Sequence, residues 1–339
     1  MSVLHYPFAR TVPESGQPME VAPGIRWLRM PLPFALDHVN LWMIADNDGW
    51  CLVDTGLTWE PIKAIWRTLF ETHRLTRQMV THYHPDHMGL AWWLQQELGI
   101  PLWMTQGEYL TAQAAAEGSG SYNIDAMVEL FRHHGLDRKR LDALKKRGNI
   151  YRVGVPLIPP FFHRLLDRQV VRIGEHDWQV IVGYGHAIEH AGFYCEALKV
   201  LVAGDMLLPG ISTNIPVVAP NQYDNPLKLY LNSLQRYREL PEDTLVLPCH
   251  GRPFIGAHKR VDFLEAHHRN RCNIILDAIR EPKTACELLP ILFDWGELDT
   301  HQLMFAMGES IAHLNYLEEP GHVKRIEDRE AGIVRFQVA

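Results

Sequence analysis

Seven consecutive residues, Thr81-His82-Tyr83-His84-Pro85-Asp86-His87, place three imidazoles and a carboxylate within six positions. Imidazole nitrogen suits zinc and related divalent ions, and an added carboxylate helps to share the charge of two of them. A helix interior could not aim side chains at this spacing into one pocket. A loop leaving the C-terminal end of a strand can, and the apolar stretch at 79–81 predicts a short buried strand that feeds it, with a helix over 88–98 behind. A lone histidine is more often a cap or a core residue than a ligand. Four donors strung together after an apolar strand are poorly explained that way.

The rest of the chain supplies the elements that must hold this loop. Strands are predicted at 25–30, 39–45 and 50–54, with Asn47, Asp48 and Gly49 turning between the last two. Leu52-Val53-Asp54-Thr55-Gly56 is an apolar strand ending in a carboxylate and a turn glycine. Residues 60–72 have helical periodicity, with Ile62, Ile65, Trp66 and Leu69 on one face, and 101–104 is a strand. From Gln106 to about Phe162 the pattern changes to three helices (107–117, 125–134, 138–146) and a stiff stretch with Pro156, Pro159 and Pro160, which reads as a helical insertion. Strands resume at 169–173, 178–183, 192–197 and 200–203. A helix over 225–240 and a strand at 244–247 lead to Pro248-Cys249-His250-Gly251. Helices at 258–280, 284–292 and 300–317, then a hairpin of 321–327 with 332–338, have the outline of a winged helix.

Composition limits the choices. With 339 residues the chain fits a large domain plus a small one. A net charge of −7 argues against general affinity for phosphate backbones. The five cysteines are odd in number and widely spaced, as in reduced thiols of a cytoplasmic protein. Residues 1–17 contain no long apolar run, so neither a signal peptide nor a membrane span is expected there.

The H-x-H-x-D-H string resembles the hallmark of the metallo-β-lactamase superfamily. Leu52 to Gly56 resembles its early strand-and-turn motif. Gly185-His186-Ala187-Ile188-Glu189-His190 resembles its next metal motif, with Ala187 and Glu189 in place of the usual Thr and Gly; a carboxylate at 189 is either a partner for a ligand or a surface group. Gly204-Asp205 and Cys249-His250-Gly251 each follow a strand, in the family's order. The resemblance implies an α/β fold: an αββα sandwich over residues 1–256, carrying the helical insertion, and a small winged-helix-like domain over 257–339.

It also implies roles. His82, His84 and His186 would hold one divalent ion, Asp86, His87 and His250 a second, and Asp205 would bridge them. Zinc is the expected metal, with manganese or iron as alternatives. Two such ions share a water and lower its pKa, giving hydroxide as the nucleophile. Asp86 is expected to bear on catalysis as a ligand, Asp54 and His190 as residues that orient ligands. Having both Asp86 and His87 favours the hydrolytic two-metal version over flavodiiron proteins. Mononuclear-iron sulfur dioxygenases share the same string.

Three functions follow: hydrolysis of a thioester or ester, as in the glyoxalase-II-like and acyl-thioesterase branches; ribonuclease-type phosphodiester cleavage, as in some relatives with a winged-helix tail; or a regulatory protein that kept the site. The complete ligand set disfavours the last. Residues 257–339 carry ten Lys or Arg against fourteen Asp or Glu, which disfavours nucleic acid. The expected partner is therefore a small-molecule acyl substrate, with no nucleic acid, no membrane, and a homodimer as a compatible assembly. The insertion, with Gly118-Ser119-Gly120-Ser121 as a hinge, is expected to cover the cleft. Tyr122, Phe161, Phe162, Asn214 and Tyr223 are the candidate pocket residues.

Overall fold

The computed structural model describes residues 4–293, 296 and 298–339. Met1, Ser2 and Val3, the start of the segment read above as neither signal nor span, lie outside the described residues, as do Asp294, Trp295 and Glu297 of the C-terminal stretch. Among the described residues no helix is long and apolar enough to cross a membrane.

In chain order the elements are β1 (Met19–Ala22), β2 (Ile25–Pro31), β3 (His38–Asp46), β4 (Gly49–Val53), α1 (Glu60–Phe70), β5 (Leu75–Met79), α2 (Pro85–Met88), α3 (Ala91–Leu98), β6 (Leu102–Thr105), α4 (Gln106–Glu117), α5 (Ile124–His133), α6 (Arg138–Arg147) and α7 (Ile150–Gly154). They continue with β7 (His163–Leu165), β8 (Val170–Ile173), β9 (His176–Gly183), β10 (His190–Cys195), β11 (Val200–Gly204), α8 (Pro226–Gln235), β12 (Leu245–Pro248), β13 (Phe254–Ile255), α9 (Ala257–Ala278), α10 (Ala285–Leu292), α11 (Thr300–Glu318), β14 (Val323–Asp328) and β15 (Ile333–Val338).

The chain forms two compact units. The first comprises Met1–Glu117, Tyr151–Thr213 and Ser233–Val261. It holds a seven-stranded sheet running in order from β1 to β7 and a six-stranded sheet ordered β13-β12-β11-β10-β9-β8. The chain alternates between two apolar faces along β3: Trp42 and Ile44 join one cluster, Leu41 and Met43 another. That is why the strand reads as a continuous apolar run rather than an alternating one. The first cluster joins the sheets, with Trp27, Trp42, Val53 and Met79 from one and Trp178, Phe193, Val202 and Leu247 from the other. The second buries Ile62, Trp66 and Leu69 of α1 and Leu94 of α3 against the outer face of the seven-stranded sheet.

The second unit comprises Gly118–Ile150, Asn214–Asn232 and Asp262–Ala339. The stretch 106–162 thus does not fall in one unit: α4 and residues 151–162 belong to the first, the intervening helices to the second. In the second unit α10 and α11 both begin with reciprocal caps, Thr284 with Glu287 and Asp299 with Gln302. The β14–β15 hairpin follows.

Several boundaries differ from the sequence reading, for local reasons. The strand expected at 79–81 lies earlier: β5 shares only Met79 with it, and the Thr81 N–H is taken by the Asp54 carboxylate at 2.7 Å instead of a neighbouring strand. The helix expected over 88–98 is split, because the Leu90 N–H turns to Gly56 O and Thr55 Oγ1. The helix expected to reach 240 tightens into a 3-10 turn at Arg236–Glu239. The edge strands β1, β7 and β13 and the single turn α7 are too short to show in periodicity.

Candidate metal centre

The candidate residues come together where β5, β9, β11 and β12 end. His82 and His84 lie in the loop after β5, and Asp86 and His87 in the first turn of α2. His186 lies between β9 and β10, Asp205 directly after β11 and His250 two residues after β12. The loop expected from the string is present, and both sheets contribute donors.

The donor atoms form two groups. In one, His82 Nε2 is 2.9 Å from His84 Nδ1 and 3.3 Å from His186 Nε2. Asp205 Oδ2 closes that group, 3.4 Å from His186 Nε2 and 3.8 Å from His82 Nε2. In the other, Asp86 Oδ2 is 3.4 Å from both His87 Nε2 and His250 Nε2. Asp205 faces this group too, with Oδ2 3.4 Å from His87 Nε2 and Oδ1 3.5 Å from His250 Nε2. Asp205 is therefore the residue common to both.

These separations fit an ion in each group. Ligand atoms at zinc–nitrogen distance in a tetrahedral site lie about 3.3–3.4 Å from one another. Two imidazole Nε2 atoms at 3.3 Å need a cation or a shared proton between them. Among the described residues His87 Nε2 and Asp205 Oδ1 are buried with no hydrogen-bond partner, an expensive arrangement unless a ligand completes it. Charge agrees. Burial lowers the His250 pKa, but Asp205 and Asp86 overcome it and lift the ring to about 10. The carboxylates likewise hold His87 above its ordinary value against burial. In the second group the carboxylates thus attract positive charge more strongly than burial repels it, whereas in the first group burial holds His82 and His84 down and keeps their nitrogens free to act as donors. The donor set thus suits a dinuclear divalent centre.

The nitrogens that face away from these groups are held. His87 Nδ1 is 2.8 Å from Asp54 Oδ2, and His250 Nδ1 donates to His38 O at 2.8 Å. Such contacts fix the tautomer that leaves Nε2 bare. Asp54 sits at φ +62, a left-handed conformation uncommon outside glycine. There its carboxylate meets Thr81, His87 and the Cys249 thiol, which donates at 3.2 Å. His190 Nε2 accepts the Asp205 N–H at 3.1 Å, so its proton is on Nδ1. Burial holds His190 down to about 3, and it stays neutral. Gly204 (φ +53) lets this happen, since a Cβ there would lie 2.3 Å from His190 Nε2.

The remaining candidates are engaged locally. Glu189 Oε2 accepts the Gly107 N–H at 2.7 Å, at the start of α4. Phe162 stacks on Tyr109 with centroids 4.0 Å apart, while Phe161 is 77% exposed. In the second unit, Asn214 Nδ2 donates to Glu309 Oε2 at 3.0 Å. Tyr223 is exposed with the Arg325 guanidinium over its ring, and the Tyr122 N–H donates to Ser119 O.

Sequence reasoning missed several groups around the centre. Asn40, in β3, donates to Pro248 O and Gly251 O at 2.9 and 3.0 Å and accepts from Trp27 Nε1 at 2.8 Å. His38 Nε2 accepts the Gly251 N–H. A lone amide in an otherwise apolar strand was the available signal for Asn40. Glu108, wholly buried in α4, accepts the N–H groups of Tyr83 and Glu189. Burial raises its pKa to about 7. Nothing in its neighbourhood along the chain marks it.

Comparison with known proteins agrees with this geometry. The Metallo-beta-lactamase superfamily pattern matches residues 35–250, and a metallo-beta-lactamase-like C-terminal domain pattern matches residues 272–339. The probable metallo-hydrolase YqjP of Bacillus subtilis (strain 168) is 26% identical over 302 residues, covering 86% of this chain and 91% of the relative. The crystal structure of a beta-lactamase domain protein from Burkholderia ambifaria superposes with a TM-score of 0.92 at 44% identity, over 99% of this chain and 98% of that one. A metallo-beta-lactamase family protein from Thermus thermophilus gives 0.78 at 29% identity, over 94% and 99%. With a donor set shared across two sheets and the superfamily pattern spanning most of its length, the chain belongs to the metallo-beta-lactamase superfamily.

Proposed function

We propose that this metallo-hydrolase cleaves a thioester or ester of a small to medium acyl group, using two zinc ions. The observation that carries the hydrolytic part is Asp205, whose carboxylate faces both donor groups at 3.4–3.8 Å. Bound divalent ions there would supply Lewis acidity, lowering the pKa of a water and polarising a scissile carbonyl. Five imidazoles with two carboxylates suit zinc among the common divalent ions, and manganese and iron are the competitors.

The chain's own residues do the positioning. Asp54 orients His87, His38 orients His250, and His190 holds the backbone of Asp205. The preference for an acyl group rests on α7 and the segment that follows it. Gly154 packs so closely on Pro85, between His84 and Asp86, that a Cβ there would lie 2.5 Å from the proline ring. The same segment exposes Val153, Leu157 and Phe161. Apolar side chains fused to the metal loop give an apolar group something to bury against, and leave polar recognition to the centre.

The test is catalytic efficiency of the zinc-loaded protein on acyl thioesters and esters of increasing chain length, against RNA oligonucleotides. The expected result is turnover of acyl substrates with a chain-length preference and no RNA cleavage. Efficient RNA cleavage, or no acyl turnover, overturns the reading.

A further inference from the structure

Tyr83 links His82 to His84, two of the three histidines in the first donor group, and the peptide on each side of it is held. The Tyr83 N–H donates to Glu108 Oε2 at 2.8 Å, and its carbonyl accepts the Tyr151 hydroxyl at 2.6 Å. The other oxygen of Glu108 accepts the Glu189 N–H at 2.6 Å, in the loop that carries His186 and leads into β10 at His190. A single buried carboxylate thus spends both oxygens on backbone N–H groups of the two loops that supply His82, His84 and His186. None of these contacts touches the second group of Asp86, His87 and His250.

His84 is the residue most sensitive to this arrangement. It faces its neighbours through Nδ1, 2.9 Å from His82 Nε2. Nδ1 is the ring nitrogen nearer the backbone, so side-chain torsions have little reach with which to compensate for a shifted peptide. Rotation of either peptide flanking Tyr83 moves the Nδ1 of His84 relative to the Nε2 of His82 almost directly.

We propose that Glu108 and Tyr151 are positioning residues that set the geometry, and hence the metal affinity, of the first donor group alone. This rests on the dinuclear reading above, though not on the choice of substrate. Outer residues that orient metal ligands are typically worth about 10–100-fold in metal affinity. Glu108→Gln is the informative change. It keeps size and one acceptor but turns an amide NH2 toward a backbone N–H, so one of the two loops must be released. Tyr151→Phe removes only the hydroxyl. Tyr109→Phe is the control: its hydroxyl donates to Pro159 O at 2.8 Å, tying α4 to the same following segment without touching a ligand loop.

The experiment is stepwise titration of the metal-free full chain with cobalt(II), followed by calorimetry and by visible d–d absorption, alongside thermal unfolding. The wild type is expected to bind two ions. E108Q and Y151F are expected to lose about 10–100-fold in one binding step, with an altered d–d band for that ion, and to keep the other step within about threefold. Y109F is expected to lower Tm while leaving both steps and the spectrum unchanged. Unchanged binding in folded E108Q and Y151F overturns the inference and leaves the dinuclear reading standing. A similar loss in both steps, or in Y109F, also overturns it. If E108Q fails to fold, Y151F decides by the same criteria. A wild type that binds no cobalt overturns the inference together with the dinuclear reading.

Discussion

Asn40 joins the two sheets next to the centre, and replacing it tests whether that cross-link is energetic or incidental. Its side chain makes three hydrogen bonds of 2.8–3.0 Å, one to Trp27 within its own sheet and two to carbonyls flanking His250. The residue is fully buried. At about 1 kcal/mol net for each bond, Asn40→Ala costs about 3 kcal/mol, and stranding the indole N–H and two carbonyls keeps relaxation from recovering much of it. In a domain of roughly 150–250 residues that corresponds to about 6–12 °C in Tm. Asn40→Asp is the sharper variant. It keeps size and the acceptor for Trp27, but sets a carboxylate oxygen against two carbonyl oxygens. An uncompensated buried charge costs about 3–5 kcal/mol. Because the folded state would favour the protonated acid, the aspartate's deficit should shrink as pH falls toward the ordinary carboxylate range near 4. The assay is thermal and urea unfolding of the three proteins from pH 5 to 8. Both variants within about 0.5 kcal/mol of wild type, a margin typical of neutral surface changes, would refute the reasoning. So would an aspartate deficit that does not vary with pH.

Two other changes probe different parts of the chain. Gly204→Ala adds a Cβ 2.3 Å from His190 Nε2 at a residue with φ +53; it should cost more than about 1 kcal/mol from the backbone strain alone and weaken metal binding through Asp205, and a variant with wild-type Tm and stoichiometry would contradict this. In the second unit His134 is buried, stacked on Phe336, with no hydrogen-bond partner for Nδ1 among the described residues, and burial holds it down to about 3; its folded pKa lies below the unfolded value near 6.5, so stability is full above 6.5 and falls as the unfolded chain takes up the proton. Over pH 7 to 5 that amounts to about 2 kcal/mol for this residue, and His134→Phe should flatten the acid slope of Tm by that share; an unchanged slope would sink the argument.

The parts of the fold legible in the sequence are those where chemistry and periodicity coincide. The H-x-H-x-D-H loop was visible because donors cannot crowd that way within a helix, and β3, β11 and β12 because both of their faces are largely apolar, whereas β5, with Thr76, Arg77 and Gln78, begins four residues before the apolar stretch at 79–81. The donor groups then assemble from the residues expected, including His250, more than 160 positions beyond His82. What holds those donors was far less visible. Glu108 and Tyr151 act through backbone atoms of Tyr83, and backbone partners leave no pattern in side-chain types. Asn40 pairs with carbonyls more than 200 residues away. Edge strands of two to four residues carry too few positions for a period to emerge.

Metal stoichiometry tests the shared, two-ion centre most directly. Elemental analysis of the zinc-loaded wild type and of Asp205→Asn, each at saturating metal after removal of loose ions, measures it. Two ions per chain in the wild type, falling below two in the variant while it remains folded, is the predicted result. At most one ion per chain in the wild type, with iron required for occupancy, would contradict it.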